Sequence, residues 1–381
     1  MIVVGAALSE HPLATHAVGE VVGGILDAGG PRPDLMAVFV TEPHLGVLED
    51  ITAAVRHLLG PRVLLGCSAA SVLAGSREVE DRVALSAFAV WFGAVGVRAV
   101  RLGPGPGTGL SGSVEHLAGA RGTLVVLADP FSVPLAPLLD HLSDIAPSLD
   151  VVGGAASSGR RPGGNRLVLD GAIHDAGAVA VHLGPDVPVR TAVSQGCRPV
   201  GAPFTVTRSE RSIVRELGGR PALERLREVL DGLDEQERTL AGAGLRLGKV
   251  LDEQQDEFGR GDFLVADVLG ADHGIGALSV SMEAPVGSTV QFHLRDAGSA
   301  HEDLVGVLAG RPAAGALCFS DVSRDAAFFG RHDHDAATVS DAVPAAAVAG
   351  AFLSGTVGPV GGRNAVHESA LCILLVDPRA G

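Results

Sequence analysis

The stretch LMAVFVTEPHLGVLEDITAAVRHLLGPRVLLGCSAA, residues 35–70, decides the fold class. Leu35–Val40 is an unbroken apolar run of strand length, as a buried strand requires. Glu49–Leu59 places Ile51, Val55, Leu58 and Leu59 at helical spacing, with acids in the first turn where the helix dipole favours them. Arg62–Cys67 returns to strand and ends in Gly66-Cys67-Ser68, and Val83–Phe92 is a further strand. The same order recurs in Thr123–Leu127, the helix Pro134–Ile145 (Leu135, Leu138, Leu139 and Leu142 on one side) and Val151–Gly154. Arg166–Leu169 and Ala176–His182 then flank a hairpin turn at Asp170-Gly171. A third set reads Gly315–Phe319, the helix Asp335–Val343, Val348–Phe352 and Ala370–Val376. Three related units therefore lie near 37–92, 122–184 and 315–376, the second strands ending in Gly66-Cys67-Ser68, Gly153-Gly154-Ala155 and Gly350-Ala351-Phe352. Hairpins and consecutive strands do not fit a pure strand–helix–strand sheet. The expected class is α/β (α+β): layered mixed sheets faced by helices, with an internal strand-helix-strand-strand repeat, in two tightly associated halves.

Composition narrows the function. The 381 residues carry 29 Lys and Arg against 44 Asp and Glu, a net charge of −15. That charge argues against a nucleic-acid binder and against docking on an anionic membrane. The single lysine, Lys249, is followed by Val250, which excludes a P-loop. Apolar residues make up 46% of the chain, enough for a large core. Cys67, Cys197, Cys318 and Cys372 lie far apart with no C-x-x-C spacing, and the N-terminus lacks the basic and long apolar regions of a secretion signal. They read as reduced, buried thiols in a cytoplasmic protein. The longest uncharged apolar-rich run, Val83–Val97, is too short to span a bilayer and reads as strand–turn–strand.

Several motifs have a bland reading beside a chemical one. Gly103–Gly109 (GPGPGTG) reads as a loop, because a phosphate cradle needs a strand before and a helix after it. Ala222–Leu233 reads as a helix, and the charged stretches Asp234–Arg238 and Asp252–Asp262 as the joint between halves, the latter a solvated surface. His332-Asp333-His334-Asp335 resembles a metal cluster, yet Asp335 is better placed to cap the following helix. Neither a metal nor a cofactor is expected.

The ordered motifs resemble the FIST family across nearly the whole chain. Gly66-Cys67-Ser68-Ala69-Ala70 is similar to the family's G-C-S-T-A segment, and Val152-Gly153-Gly154-Ala155-Ala156 to its second Gly-Gly segment. Gln195-Gly196-Cys197-Arg198-Pro199-Val200-Gly201 matches its G-C-R-P-V-G run, with Thr205–Thr207, Glu216-Leu217 and Pro221-Ala222-Leu223 following. Gly315-Ala316-Leu317-Cys318-Phe319-Ser320, Phe329-Gly330, Asp333-His334-Asp335 and Gly355-Thr356-Val357-Gly358-Pro359 match later blocks. The chain departs from the pattern at Ser71-Val72, where the family carries Gly-Glu. Asp321-Val322-Ser323-Arg324 keeps the Arg and lacks the Cys of the family segment. Thr356 replaces the Glu of G-E-I-G-P, and the final H-x-x-T-like segment reads His367-Glu368-Ser369-Ala370.

The resemblance implies an N-terminal domain over residues 1–218 and a C-terminal domain over 219–381. It also implies a sensory module for small ligands, amino acids among them, with no catalysis. The expected pocket lies between the halves. Gly66, Gly153 and Gly154 would allow close backbone approach beside Cys67 and Ser68. Arg198 or Arg324 would clamp a carboxylate, with Asp321 and Thr356 alongside. The competing reading of Arg324 is a salt bridge to Asp321. With no kinase segment or transmembrane helix in view, the output would pass to a separate protein partner. Two alternatives stand beside this reading: an interaction scaffold with a decayed pocket, which the missing acids at Val72 and Thr356 favour, and a hydrolase or transferase using Cys67.

Overall fold

The computed structural model describes residues 2–93, 96–104, 110–111, 114–255, 257–259 and 261–378. The expected loop at 105–109 lies outside them, while Gly103 and Pro104 end a strand. The chain divides into two compact units. The first comprises Met1–Val193, Leu304–Pro359 and Arg363–Gly381, and the second Ser194–Asp303 and Val360–Gly362. The boundary expected between residues 218 and 219 falls inside the second unit.

The first unit is built from three repeats. Repeat 1 runs β1 (Val3–Ser9), α1 (Ala14–Gly29), β2 (Leu35–Val40), α2 (Leu48–Leu59), β3 (Val63–Ser68), the hairpin β4 (Ser71–Ala74) and β5 (Arg77–Glu80), and β6 (Leu85–Trp91). Repeat 2 runs β7 (Val97–Pro104), β8 (Leu110–Ser111), β9 (Gly122–Ala128), α3 (Leu135–Ile145), β10 (Leu149–Ala155), the hairpin β11 (Leu167–Leu169) and β12 (Ala172–His174), and β13 (Ala178–Leu183). The hairpin expected at Asp170-Gly171 is present, but its second strand is Ala172–His174. The following run enters a different sheet as β13, antiparallel to β9 and β7.

Repeat 3 opens with β14 (Val189–Ser194), and the second unit is inserted after it. That unit holds β15 (Cys197–Glu210), β16 (Ile213–Leu217), β17 (Arg220–Pro221), α4 (Ala222–Gly232), α5 (Glu235–Ala243), β18 (Leu245–Val250), β19 (Phe263–Asp272), β20 (Ala277–Val280) and β21 (Thr289–Arg295). Its strands run β15-β21-β18-β19-β20-β16-β17, and β15 also pairs with β16, which closes the sheet on itself. Leu223, Leu226 and Val229 of α4 pack into its core. The stretch read as a joint, Asp234–Arg238, is instead the start of α5, where Asp234 and Glu237 form a reciprocal cap. Its charges mark a solvated helix rather than a linker.

Repeat 3 resumes with α6 (Ala297–Leu308), β22 (Gly315–Asp321), α7 (Ala326–Phe329), α8 (His334–Ala342), β23 (Ala347–Leu353), the hairpin β24 (Thr356–Val360) and β25 (Arg363–His367), and β26 (Leu371–Val376). In every repeat the strands either side of the long helix are parallel, and the last strand is antiparallel to the first of that pair. Each hairpin leaves its own sheet and pairs with the next. β11 adds to β3, β4 to β23 and β24 to β10, so the three sheets exchange hairpins in a cycle. A two-stranded hairpin is marginal alone, and docking on a neighbouring sheet buries it.

The small residue in each second strand follows from this packing. A Cβ at Gly66, Gly153 or Gly350 would run into the carbonyl oxygen of the parallel neighbour, at Val38, Val126 and Cys318 respectively. These three glycines are therefore equivalent positions. The inner faces of the three sheets share one core, which includes Phe39, Phe88, Leu127, Val181, Phe319 and Leu374. Among the described residues no helix is long and apolar enough to cross a membrane.

Candidate functional site

The second strands of the three repeats converge at their C-terminal ends, where Ser68, Ala155 and Phe352 each lie two residues past an equivalent glycine. The Ser157 N–H donates to the Ser68 carbonyl at 3.4 Å, and the Ser354 N–H to the Ala155 carbonyl at 2.8 Å. The third link of the ring is a side chain. Ser157 Oγ accepts from the Ala70 N–H at 2.8 Å and donates to the Phe352 carbonyl at 2.6 Å.

Most residues singled out from sequence sit around this ring in packed positions. Ser68 is fully buried, and its Oγ accepts from the Arg166 N–H at 2.9 Å and from Ser158 Oγ at 2.6 Å. Cys67 is 1% exposed, and burial pushes its thiol well above the ordinary range. A Cβ at Gly154 would meet the Gly355 carbonyl, so Gly154 serves close strand packing. Thr356 is fully buried and donates to the His367 carbonyl at 3.3 Å. Asp321 is buried too. Its Oδ1 accepts from the Ser323 N–H and hydroxyl, and its Oδ2 from the Gly355 N–H at 3.0 Å.

Arg324 is fully buried, and its partner is Asp335, not Asp321. Nε and Nη2 donate to the two carboxylate oxygens at 2.8 Å each, a bidentate fork, and Nη1 donates to the Ser369 carbonyl at 3.3 Å. Asp335 therefore does not cap its helix. It also accepts from Ser320 Oγ at 2.8 Å and bonds His334 Nδ1 at 2.9 Å. Burial opposes its ionisation, but the Arg324 charge and the His334 hydrogen bond outweigh burial and hold the carboxyl well below the usual range. The first turn of α8 is capped from another repeat, by Glu78 Oε1 accepting from the Ala336 N–H at 2.8 Å. Burial, and next the Asp335 charge, push the Glu78 carboxyl up to about 8. His332 points to solvent, and among the described residues no group of three or more His, Cys, Asp or Glu side chains could hold a metal.

Arg198 belongs to the second unit, while the other expected residues belong to the first. It is half-buried between Glu237 at 3.0 Å and Asp296 at 3.6 Å.

Open space in the first unit lies elsewhere. A cavity of about 600 Å³ is formed by Arg98–Arg101 of β7, the segment His116–Arg121, and His182 with Pro185. His182 is 5% exposed and faces Arg98 across the antiparallel β7–β13 pair, with its Nε2 bonded to the Arg121 carbonyl at 2.9 Å. Arg101 donates to the carbonyls of Leu102, Ala178 and Ala176. Arg98 and Arg121 are exposed, and neither pairs with a carboxylate among the described residues. None of these positions was singled out from sequence. The one local signal is His182, a titratable residue inside the apolar strand AVAVHL.

Residues 34–220 match the family model of the FIST N domain, and residues 222–359 that of the FIST C domain. The chain is similar to the uncharacterized protein Mb0898c of Mycobacterium bovis, 37% identical over 390 residues that cover 98% of this chain and 99% of the relative. It is also similar to the uncharacterized protein Rv0628c of Mycobacterium tuberculosis, 38% identical over 379 residues that cover 96% of this chain and 95% of the relative.

Proposed function

The chain belongs to the FIST family, and from that premise we propose that it is a cytoplasmic sensory protein that binds a small carboxylate-bearing ligand and performs no catalysis. The observation that carries this reading is the cavity of about 600 Å³ with Arg98, Arg121, His116 and His182 on its walls. Its volume suits a small molecule, and guanidinium groups bind carboxylates through paired hydrogen bonds. The residues expected from sequence then form the frame. Gly66, Gly153 and Gly154 let strands approach, Ser68, Asp321 and Thr356 satisfy buried backbone groups, and Arg324 closes a buried ion pair. The burial of Cys67 favours binding over a hydrolase or transferase that uses this thiol, since the thiolate is the nucleophile. Ligand occupancy would be passed to a separate protein partner by shifting a conformational population.

A thermal-unfolding screen against amino acids, small carboxylates and nucleotides tests the reading. A ligand at about 100 times its dissociation constant adds about 2.7 kcal/mol. The expected result is a raised midpoint with one chemical group, lost in Arg121→Ala. An unchanged midpoint across the whole panel overturns the reading.

A further inference from the structure

The basic cavity stands where the other two repeats place a helix. In repeat 1, α1 joins β1 to β2 and buries Ala17, Val18, Val21, Val22 and Ile25 against the sheet. In repeat 3, Leu304 and Leu308 of α6 pack into the core with Ile373 and Leu375 of β26. In repeat 2, the described part of the connection between β8 and β9 has one turn of 3-10 helix, Val114–Leu117.

Strand register carries the comparison to single residues. Met36 in repeat 1 and Leu124 in repeat 2 each lie two residues before the carbonyl that faces the equivalent glycine. Met36 pairs with Ala89, which pairs with Gly5. Leu124 pairs with His182, which pairs with Arg98. Arg98 and His182 therefore hold the places of Gly5 and Ala89. Repeat 3 has Leu375 at the latter place, paired with Ala316. A Cβ at Gly5 would press on Ala28 and Ile25 of α1, so the small residue there serves the helix. Repeat 2 has two basic side chains at these places instead.

The lining is also one-sided in charge, in a chain of net charge −15. Among the described residues on the walls, every ionisable side chain is Arg or His, and no Asp or Glu is present. A zwitterionic amino acid would bring an ammonium group that loses water and finds no carboxylate in return. A ligand with two anionic groups meets both Arg98 and Arg121 in the lining. Resting on the ligand-binding reading above, we infer that this cavity takes a small molecule with two or more anionic charges on oxygen and no ammonium group. Arg98, Arg121 and His182 set that specificity. The charges come from carboxylates or from a phosphate ester, which present the same chemistry to guanidinium groups.

Isothermal titration of the full-length chain with glutarate, glutamate, inorganic phosphate and glycerol 3-phosphate tests this. Glutarate and glutamate differ by the ammonium group alone. The expected result is that glutarate or a phosphate compound binds at least tenfold more tightly than glutamate, and which of them does so identifies the anion. Two variants should each weaken that binding at least tenfold: Arg121→Ala, at an exposed position, and Arg98→Gly with His182→Ala, which installs the residues of repeat 1. Circular dichroism and the thermal midpoint report whether each variant is folded. Glutamate binding as tightly as glutarate overturns the ligand class and leaves the sensory reading standing. Tight binding that survives both variants overturns the site. No binding by any of the four overturns the ligand class if the broader thermal screen finds only a ligand with an ammonium group or fewer than two anionic charges, supports the class if that screen finds another dianion lost in Arg121→Ala, and removes both readings if that screen is also silent.

Discussion

Arg324 and Asp335 form a bidentate ion pair with both side chains fully buried, each of the two contacts at 2.8 Å. The pair joins the loop after β22 to the first turn of α8. Ser320 and His334 complete the hydrogen bonding of the carboxylate. Two charges withdrawn from water are tolerated only with such complete pairing.

Removing one partner is therefore expected to be costly. Arg324→Met leaves the Asp335 charge buried without its guanidinium partner, and should lower stability by about 3–5 kcal/mol. Arg324→Met combined with Asp335→Leu should recover most of that loss, because an apolar pair of similar volume carries no uncompensated charge. Urea unfolding of the two single variants and the double variant measures the coupling. A double variant as unstable as the sum of the singles would sink the argument.

Glu78 should give the protein a downward stability slope between about pH 4 and pH 8. Its carboxyl titrates at about 8 when folded, against about 4.3 in the unfolded chain. The native state therefore holds a proton that the unfolded state has lost. The contribution is complete below about pH 4 and declines as pH rises toward 8, by at most about 1.4 kcal/mol per unit. Asp335, held below its ordinary value, acts in the opposite sense: its contribution is present above about pH 4 and is lost on further acidification. Glu78→Gln keeps an acceptor for the Ala336 N–H and cannot ionise. Its thermal midpoint should be flatter from pH 5 to 8 and higher at pH 8, and parallel profiles for the two proteins would count against this assignment.

The pattern Leu35–Val40, Glu49–Leu59, Arg62–Cys67 was legible because each piece carries its own periodicity, and the helix extends only one residue beyond the reading. The glycines at 66, 153 and 350 were legible as small residues, though not as contacts with a parallel strand. Helix α1 was missed although Ala17, Val18, Val21, Val22 and Ile25 have helical spacing, because Gly19, Gly23 and Gly24 interrupt it with poor helix formers. The hairpin exchange was not legible. Short strands such as Ser71–Ala74 carry almost no register information, and their partners lie far along the chain, Val72 opposite Ala351. Asp335 looked like a cap because a short acid at a helix start often is one, and nothing local reveals a guanidinium folded back onto it. The cavity was invisible because Arg98, Arg121 and His182 come from three separate segments, and the absence of a long helix among the described residues between β8 and β9 means something only beside the other two repeats.

Two glycines, one in a second strand and one in a helix, make a paired test of the close strand approach. Gly350→Ala drives a methyl group into the Cys318 carbonyl and should cost about 2–4 kcal/mol. Gly23→Ala, inside α1 with nothing within 4 Å of the added carbon, should instead stabilise by about 0.5–1 kcal/mol. Thermal midpoints moving in opposite directions support both assignments, and a tolerated Gly350→Ala would contradict the strand approach.

The buried thiols should be inert. Burial pushes Cys67 and Cys318 far above the ordinary range and Cys372 up to about 12, and all three are at most 1% exposed. Native protein at pH 8 should leave these three unlabelled by iodoacetamide over hours, and urea-unfolded protein should label them fully, as peptide mass mapping would show. Rapid native labelling of Cys67 would return weight to a thiol-dependent enzyme.

Ser157 gives the most specific prediction about how the three repeats close. Two links of the ring between the second strands are direct backbone hydrogen bonds, and the third runs through Ser157 Oγ. Ser157→Ala removes the relay and leaves the Ala70 N–H and the Phe352 carbonyl without that partner, while the Ser354 link to Ala155 stays intact. An unsatisfied buried polar group costs about 1–3 kcal/mol, and Ala70 is half-buried, so the total loss should fall near the lower end of that range. Hydrogen exchange localises the effect. The Ala70 amide should lose protection in the variant by at least tenfold while the Ser354 amide keeps its own, because only the relayed link has been cut. Equal loss at both amides would mean that the ring opens as a whole and that Ser157 holds the three repeats together. Unchanged protection at Ala70 would mean that this amide draws its protection from elsewhere.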